Sequence, residues 1–292
     1  MSFADRLIEA VRNVDAPLCV GLDPLPDRIP ALFGTGVTAA VSVSEAIVEI
    51  AQHHAAVIKP QLGFFEAYGP EGYAAAHALT QMAQGAGLLV ILDAKRGDIG
   101  TTAEGYARAT LGPAPGFDAD CVTINPYLGR DSIEPFVSAA EQNGKGVAVL
   151  VRTSNAGARD LQDLRIDGAP LWQRVGEMLA PMSARLEGTH GWSGLMAVAG
   201  ATYPDEARAL RQTMPRAIFL VPGYGAQGAS AADAVAGFVP GPCGLEGGVV
   251  SSSRAVLYPE PAQRAGDLNA WRQAIIAAMK AAAGELRAAC AL

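Results

Sequence analysis

The chain has 292 residues, half of them hydrophobic and 17% charged, with a formal net charge of −7. That length can bury a large core, either as two small domains or as one α/β barrel. The acidic balance and the lack of any Lys/Arg-rich run argue against a nucleic-acid-binding surface, so an anionic small molecule would need its own local cluster of cations and N–H groups.

The N-terminal stretch "MSFADRLIEAVRN" is amphipathic and charged early, unlike a signal peptide. Eight short apolar runs follow, at 17–23, 55–61, 87–95, 121–125, 146–152, 194–201, 217–223 and 247–254, each closing on polar or glycine-rich residues. Most run apolar without alternation, the pattern of strands buried on both faces of a parallel sheet. Helical patterns lie between them at 43–54, 72–84, 170–186 and 204–214, and "LNAWRQAIIAAMKAAAGELRAA" reads as a long closing helix. Strands alternating with helices in this number predict a (β/α)8 TIM barrel, a single domain over 1–292. An open doubly wound sheet would carry a Gly-x-Gly-x-x-Gly turn after its first strand, and "GLDPLPDR" is not one. Cys19, Cys121, Cys243 and Cys290 show no zinc or Cys-x-x-Cys spacing, and two of them fall inside apolar runs, which fits a reducing cytoplasm. No apolar run is long enough to span a membrane.

In a barrel the active residues gather at the C-terminal ends of the strands. Here those ends carry Asp23, Lys59, Asp93, Lys95, Asn125, Ser154, Gln227 and Arg254. Asp93 and Lys95 are two apart on a strand, which predicts a shared inward face, and Lys59 ends the preceding strand. An alternating Lys–Asp–Lys row holds each charge between opposite charges. A lysine so held stays protonated and can act as a positioned acid. A purely structural ion network has the same composition; the place at the catalytic rim favours a site. "VPGYGAQG" and "SSSRAVLYP" follow the seventh and eighth strands, the usual phosphate-binding corner of this fold, with Gln227 and Arg254 as donors. His53, His54, His77 and His190 are placed for helix-end or surface roles. Lys59 and Lys95 would repel a divalent metal near Asp93 and Asp98. Neither a metal nor a cofactor is expected. Ser154 has no histidine with triad logic and reads as a hydrogen-bond donor.

"LDAKRGDIGTT" carries the Asp-x-Lys-x-x-Asp signature of the orotidine 5'-phosphate decarboxylases. "GLDP", "IKPQLGFFEAYG", "NPYLG", "RTSNAG" and "VPGYGAQG" resemble, in order, the longer bacterial branch of that family from Val20 to Arg254. The resemblance implies decarboxylation of orotidine 5'-phosphate to UMP and CO2. It makes Lys59, Asp93, Lys95 and Asp98 the charged tetrad, with Lys95 stabilising and protonating the C6 carbanion. It assigns Asp23 to the ribose hydroxyls, Ser154 and Pro222 to the pyrimidine, and Gln227 and Arg254 to the phosphate. It also implies a homodimer in which Asp98, with Ile99 and Thr102, reaches the partner's site; the alternative for Asp98 is a cap on the helix beginning near Thr101. Asn125 is given a site-lining role, and the stretch "ARDLQDLRIDGAP" has none assigned. Two rivals share the barrel. One is a metal-dependent sugar-phosphate decarboxylase or aldolase, which would resemble this chain but carry a glutamate at the Lys59 position. The other is a non-catalytic phosphoribosyl-pyrimidine-binding barrel, expected to lack a member of the tetrad.

Overall fold

The computed structural model describes residues 1–225 and 227–292. Among them eight parallel strands close into a barrel: β1 (Leu18–Leu22), β2 (Val57–Pro60), β3 (Leu89–Arg96), β4 (Cys121–Ile124), β5 (Gly146–Arg152), β6 (Ser193–Ala199), β7 (Ala217–Val221) and β8 (Gly248–Ser252). Each strand pairs with its neighbours in sequence, and β8 closes on β1 with Leu18 opposite Val250. The register of β1 against β2 sets Gly21 opposite Lys59, so a charge stands at the rim where the hydrophobic run ends.

The alternation of the strands divides the apolar residues between two cores. Outward-facing Val20, Ile58, Val90, Val122 and Val147 pack against the surrounding helices. Inward-facing Val57, Ile91, Cys121, Met196, Ile218 and Val249 fill the barrel's lower half. Cys19 joins them as a buried free thiol, pushed by burial up to about 12. The helix Phe3–Val14 closes the bottom through Phe3, Leu7 and Ile8. Gly146 makes room for it, since a Cβ there would stand 2.3 Å from the Phe3 ring. The bottom is thereby sealed, and the open end of the barrel is the one at the strands' C-termini.

Some local readings are corrected. The pattern at 43–54 begins earlier, as the helix Gly36–Ala51, which leaves His53 and His54 beyond its end. The pattern at 170–186 is an α-helix, Leu171–Leu179, continued by a 3-10 helix, Ala180–Leu186. Pro181 has no N–H for the α-helical ladder, and the chain tightens where it stands. The last strand stops at Ser252, so Arg254 opens a short helix, Arg254–Leu257, rather than ending the strand. The stretch after Ser154 forms a short helix, Arg159–Gln162, and a two-stranded hairpin pairing Arg165–Ile166 with Ala169–Pro170. Among the described residues no helix is long and apolar enough to cross a membrane.

Candidate active site

A cavity of about 550 Å³ opens at the C-terminal end of the barrel. It gathers Asp23, Lys59, Asp93, Lys95, Ser154, Pro222, Gln227 and Arg254 from six different strand ends. Asp93 is its electrostatic centre. Lys59 Nζ donates to Asp93 Oδ2 at 2.7 Å, and Lys95 Nζ donates to Oδ1 at 2.6 Å. The two lysines differ in exposure: the Lys59 side chain is 8% exposed and that of Lys95 46%. Lys59 is therefore a fixed internal counter-charge, while Lys95 stands at the cavity surface.

Burial alone would raise the Asp93 carboxyl, but Lys59 and then Lys95 outweigh it and hold it well below the carboxylate range. Burial would likewise lower the Lys59 ammonium, and Asp93, with a smaller contribution from Asp23, reverses the sign and raises it. Across the neutral range Asp93 is thus an anion and Lys59 a cation.

The way Lys95 reaches Asp93 is not that of a regular strand. The pairing of β3 with β4 shifts register between Leu92 and Arg96, and Lys95 has a left-handed backbone with φ of 47°. Such a conformation costs a non-glycine residue roughly 1 kcal/mol or more. Thr123 on β4 fills the break. Its Oγ1 accepts the Lys95 N–H at 3.0 Å, a donor that the shifted ladder leaves free, and donates to Asp93 Oδ1 at 2.9 Å. Gln61 completes the set, its Nε2 donating to Asp93 Oδ2 at 3.0 Å. Asp93 therefore accepts two bonds on each oxygen. Sequence reading missed Thr123 and Gln61. Gln61 had a signal, standing two residues after Lys59 on an inward-facing register; Thr123 had none, since its role depends on a bulge in another strand.

At the end of β1, the strand next to that of Lys59, Asp23 presents a buried Oδ1 that accepts no hydrogen bond from the protein. Arg254 and Gln227 are both exposed at the mouth, beside Ser253 and Gly223. Tyr258 braces this side by donating to the Asp23 carbonyl at 2.6 Å and accepting the Leu25 N–H at 2.8 Å.

Four expected residues lie elsewhere. Asp98, Ile99 and Thr102 do not line the cavity of their own chain. The helix there begins at Gly100, and Asp98 Oδ1 accepts the Ile99 N–H at 2.8 Å instead of a helix-turn amide, so it makes no side-chain cap. Ile99 is 56% exposed. Asn125 sits in an adjoining groove with Pro126 and Tyr127, where its Oδ1 accepts the Tyr127 N–H at 3.0 Å. It follows the end of β4 at Ile124, and its groove shares Leu150, Thr153 and Gln162 with the main cavity. Among the described residues no group of three or more His, Cys, Asp or Glu is placed to hold a metal ion.

The family model for the orotidine 5'-phosphate decarboxylase / HUMPS family matches residues 16–266. The chain belongs to this family. An orotidine 5'-phosphate decarboxylase of Rhodopirellula baltica is 38% identical, with 95% of this chain and 96% of the relative covered. Another, of Haloarcula marismortui, is 42% identical over 88% of this chain and 87% of its own. The solved structure of Leishmania donovani OMP decarboxylase superposes with a TM-score of 0.78 at 31% identity, covering 99% of this chain and 98% of that one. Family membership and the closed eight-stranded barrel bear out the fold read from the sequence.

Proposed function

We propose that the protein converts orotidine 5'-phosphate to UMP and CO2 without a cofactor, acting as a cytoplasmic homodimer. The observation that carries this reading is the Lys59–Asp93–Lys95 row lining a cavity large enough for a nucleotide. In the reaction the C6–carboxylate bond breaks, CO2 departs, and its electron pair stays on C6. A fixed ammonium beside that carbon offsets the developing charge without an electron sink, and its proton then completes the product. Lys95 fits both tasks: it is charged, held by Asp93, and half-exposed toward the cavity. Solvent returns the proton to Lys95 once the product has left. Lys59 keeps Asp93 ionised and in place.

The remaining roles follow from position. Asp23, with a free buried acceptor, suits a ribose hydroxyl, which would supply the missing donor. Ser154 and Pro222 face the ring, and Gln227 with Arg254 grips the phosphate at the rim. Asp98, Ile99 and Thr102 serve the partner subunit's cavity. Their place outside their own cavity and the exposure of Ile99 support this, since an isologous two-fold contact would bury that side chain. A metal-dependent reaction on this barrel would need a carboxylate where Lys59 stands. The test is the loss of orotidine 5'-phosphate absorbance, with and without chelator. Turnover that survives the chelator is expected; turnover abolished by it and restored by magnesium would refute the metal-free reading, and no turnover at all would refute the decarboxylase.

A further inference from the structure

The segment between Ser154 and the helix Leu171–Leu179 is longer than a strand-to-helix connection requires, and it folds back onto the site. Gln162, the last residue of the short helix Arg159–Gln162, lines the cavity. Both ends of its amide are used on one residue. Its Oε1 accepts the Thr153 N–H at 3.0 Å, and its Nε2 donates to Thr153 Oγ1 at 2.8 Å. Thr153 Oγ1 passes the chain on to Asn155 Oδ1 at 2.7 Å. The next residue of the insert, Asp163, pairs with Arg152 at 2.8 Å. Arg152 is only 2% exposed, and its guanidinium lies 3.7 Å from the centre of the Tyr203 ring. Two consecutive residues of the insert therefore grip the two consecutive residues that precede Ser154.

Ser154 is held from the other side as well. Gly200 allows a close approach, because a Cβ there would stand 2.9 Å from Ser154 Cα. Thr202 Oγ1 donates to the Ser154 carbonyl at 3.4 Å. The backbone around Ser154 is thus fixed between the insert and the end of β6.

We infer that Gln162 is a positioning residue, and that the insert exists to hold the Thr153–Ser154 peptide so that the Ser154 hydroxyl meets a pyrimidine edge. The inference rests on the decarboxylase reading only for the identity of the ring. A carboxamide suits the task because it supplies an acceptor and a donor side by side, matching the N–H and the hydroxyl oxygen of Thr153. With its amide engaged in this way, Gln162 acts on the ligand through Ser154.

The experiment compares wild type, Gln162→Leu, Gln162→Glu, Ser154→Ala and the double variant Gln162→Leu/Ser154→Ala. Their kcat/KM for orotidine 5'-phosphate, inhibition by UMP and by ribose 5-phosphate, and amide hydrogen exchange over 153–155 are measured. Losing a paired hydrogen bond that orients a contact predicts a fall of about tenfold in kcat/KM for Gln162→Leu, and a similar weakening of UMP. Ribose 5-phosphate, which has no ring, should change by less than about twofold, and exchange at the Thr153 amide should quicken by about tenfold. Gln162→Glu keeps an acceptor for the Thr153 N–H but has no donor for Thr153 Oγ1, whose own hydrogen goes to Asn155, so it should recover only part of the loss. In the Ser154→Ala background, Gln162→Leu should cost less than about threefold, because the two residues act as one unit. If Gln162→Leu does not fold, Thr153→Val removes the same hydroxyl acceptor and carries the same expectations. Wild-type kinetics with unchanged exchange, equal losses for UMP and ribose 5-phosphate, or full additivity with Ser154→Ala would each overturn the inference. A wild-type protein that binds UMP but does not turn over orotidine 5'-phosphate would overturn the decarboxylase reading alone, and the UMP and exchange measurements would still judge Gln162.

Discussion

Replacing Lys59 with methionine removes the buried end of the ion row and keeps its volume. Asp93, itself 6% exposed, then retains Gln61, Thr123 and Lys95 but loses the counter-charge that is buried with it. Removing one partner of a buried pair costs about 3–5 kcal/mol. The surviving contact to half-exposed Lys95 places the expected loss near the low end, at about 3 kcal/mol. For a chain of this size that corresponds to a fall in Tm of about 6 °C. The penalty is electrostatic, so it should largely vanish when the stranded charge is removed too: Lys59→Met/Asp93→Asn should regain most of the stability while staying inactive. The pH dependence has a defined sign. Asp93 is held below its unfolded value of 3.8, so its contribution is present above that pH and is lost as pH falls through the depressed folded-state value. Lys59 is raised above 10.5, so its contribution is present below that pH and fades only as pH rises through the elevated value. Both terms are in full force between about pH 5 and 9. Thermal and urea unfolding at pH 7 give the comparison. A Lys59→Met protein as stable as wild type, or a double variant less stable than the single one, would refute the reasoning.

The other predictions concern the rim, the partner and the floor of the barrel. Arg254→Ala should raise KM for orotidine 5'-phosphate by about tenfold to a hundredfold, the range for a charge-assisted contact, and hardly alter the slow reaction of orotidine; steady-state kinetics on both substrates decide it, and equal losses would remove Arg254 from the phosphate. Lys95→Ala and Asp98→Ala chains, each nearly inactive alone, should recover about a quarter of wild-type activity on equal mixing, since half of randomly paired dimers are mixed and each of those carries one intact site. No recovery after demonstrated subunit exchange would assign Asp98 to its own chain. Gly146→Ala should cost about 2 kcal/mol in unfolding experiments, because the new methyl meets the Phe3 ring, while substrate KM stays unchanged.

The charged strand ends at Lys59, Asp93 and Lys95 were legible in the chain because a buried parallel strand has no other reason to end in charge. The barrel was legible for a related reason: unalternating apolar runs separated by helical patterns leave few ways to bury both faces. Periodicity is local, however, and failed wherever a contact came from another strand. It set Asp93 and Lys95 on one face by counting residues, whereas the tertiary structure brings them together through a register shift and a left-handed Lys95 braced by Thr123. The end of β8 and the break at Pro181 were misplaced for the same reason, since propensity does not say where pairing with a neighbour stops. Asn125, a rim residue in one dimension, lines the neighbouring groove in three and not the cavity that holds Asp93. The insert had no readable role at all. Gln162 and Asp163 acquire theirs only when the chain doubles back by nine and eleven residues onto Thr153 and Arg152, a closure that hydrogen bonds and one buried guanidinium select and that no spacing rule encodes.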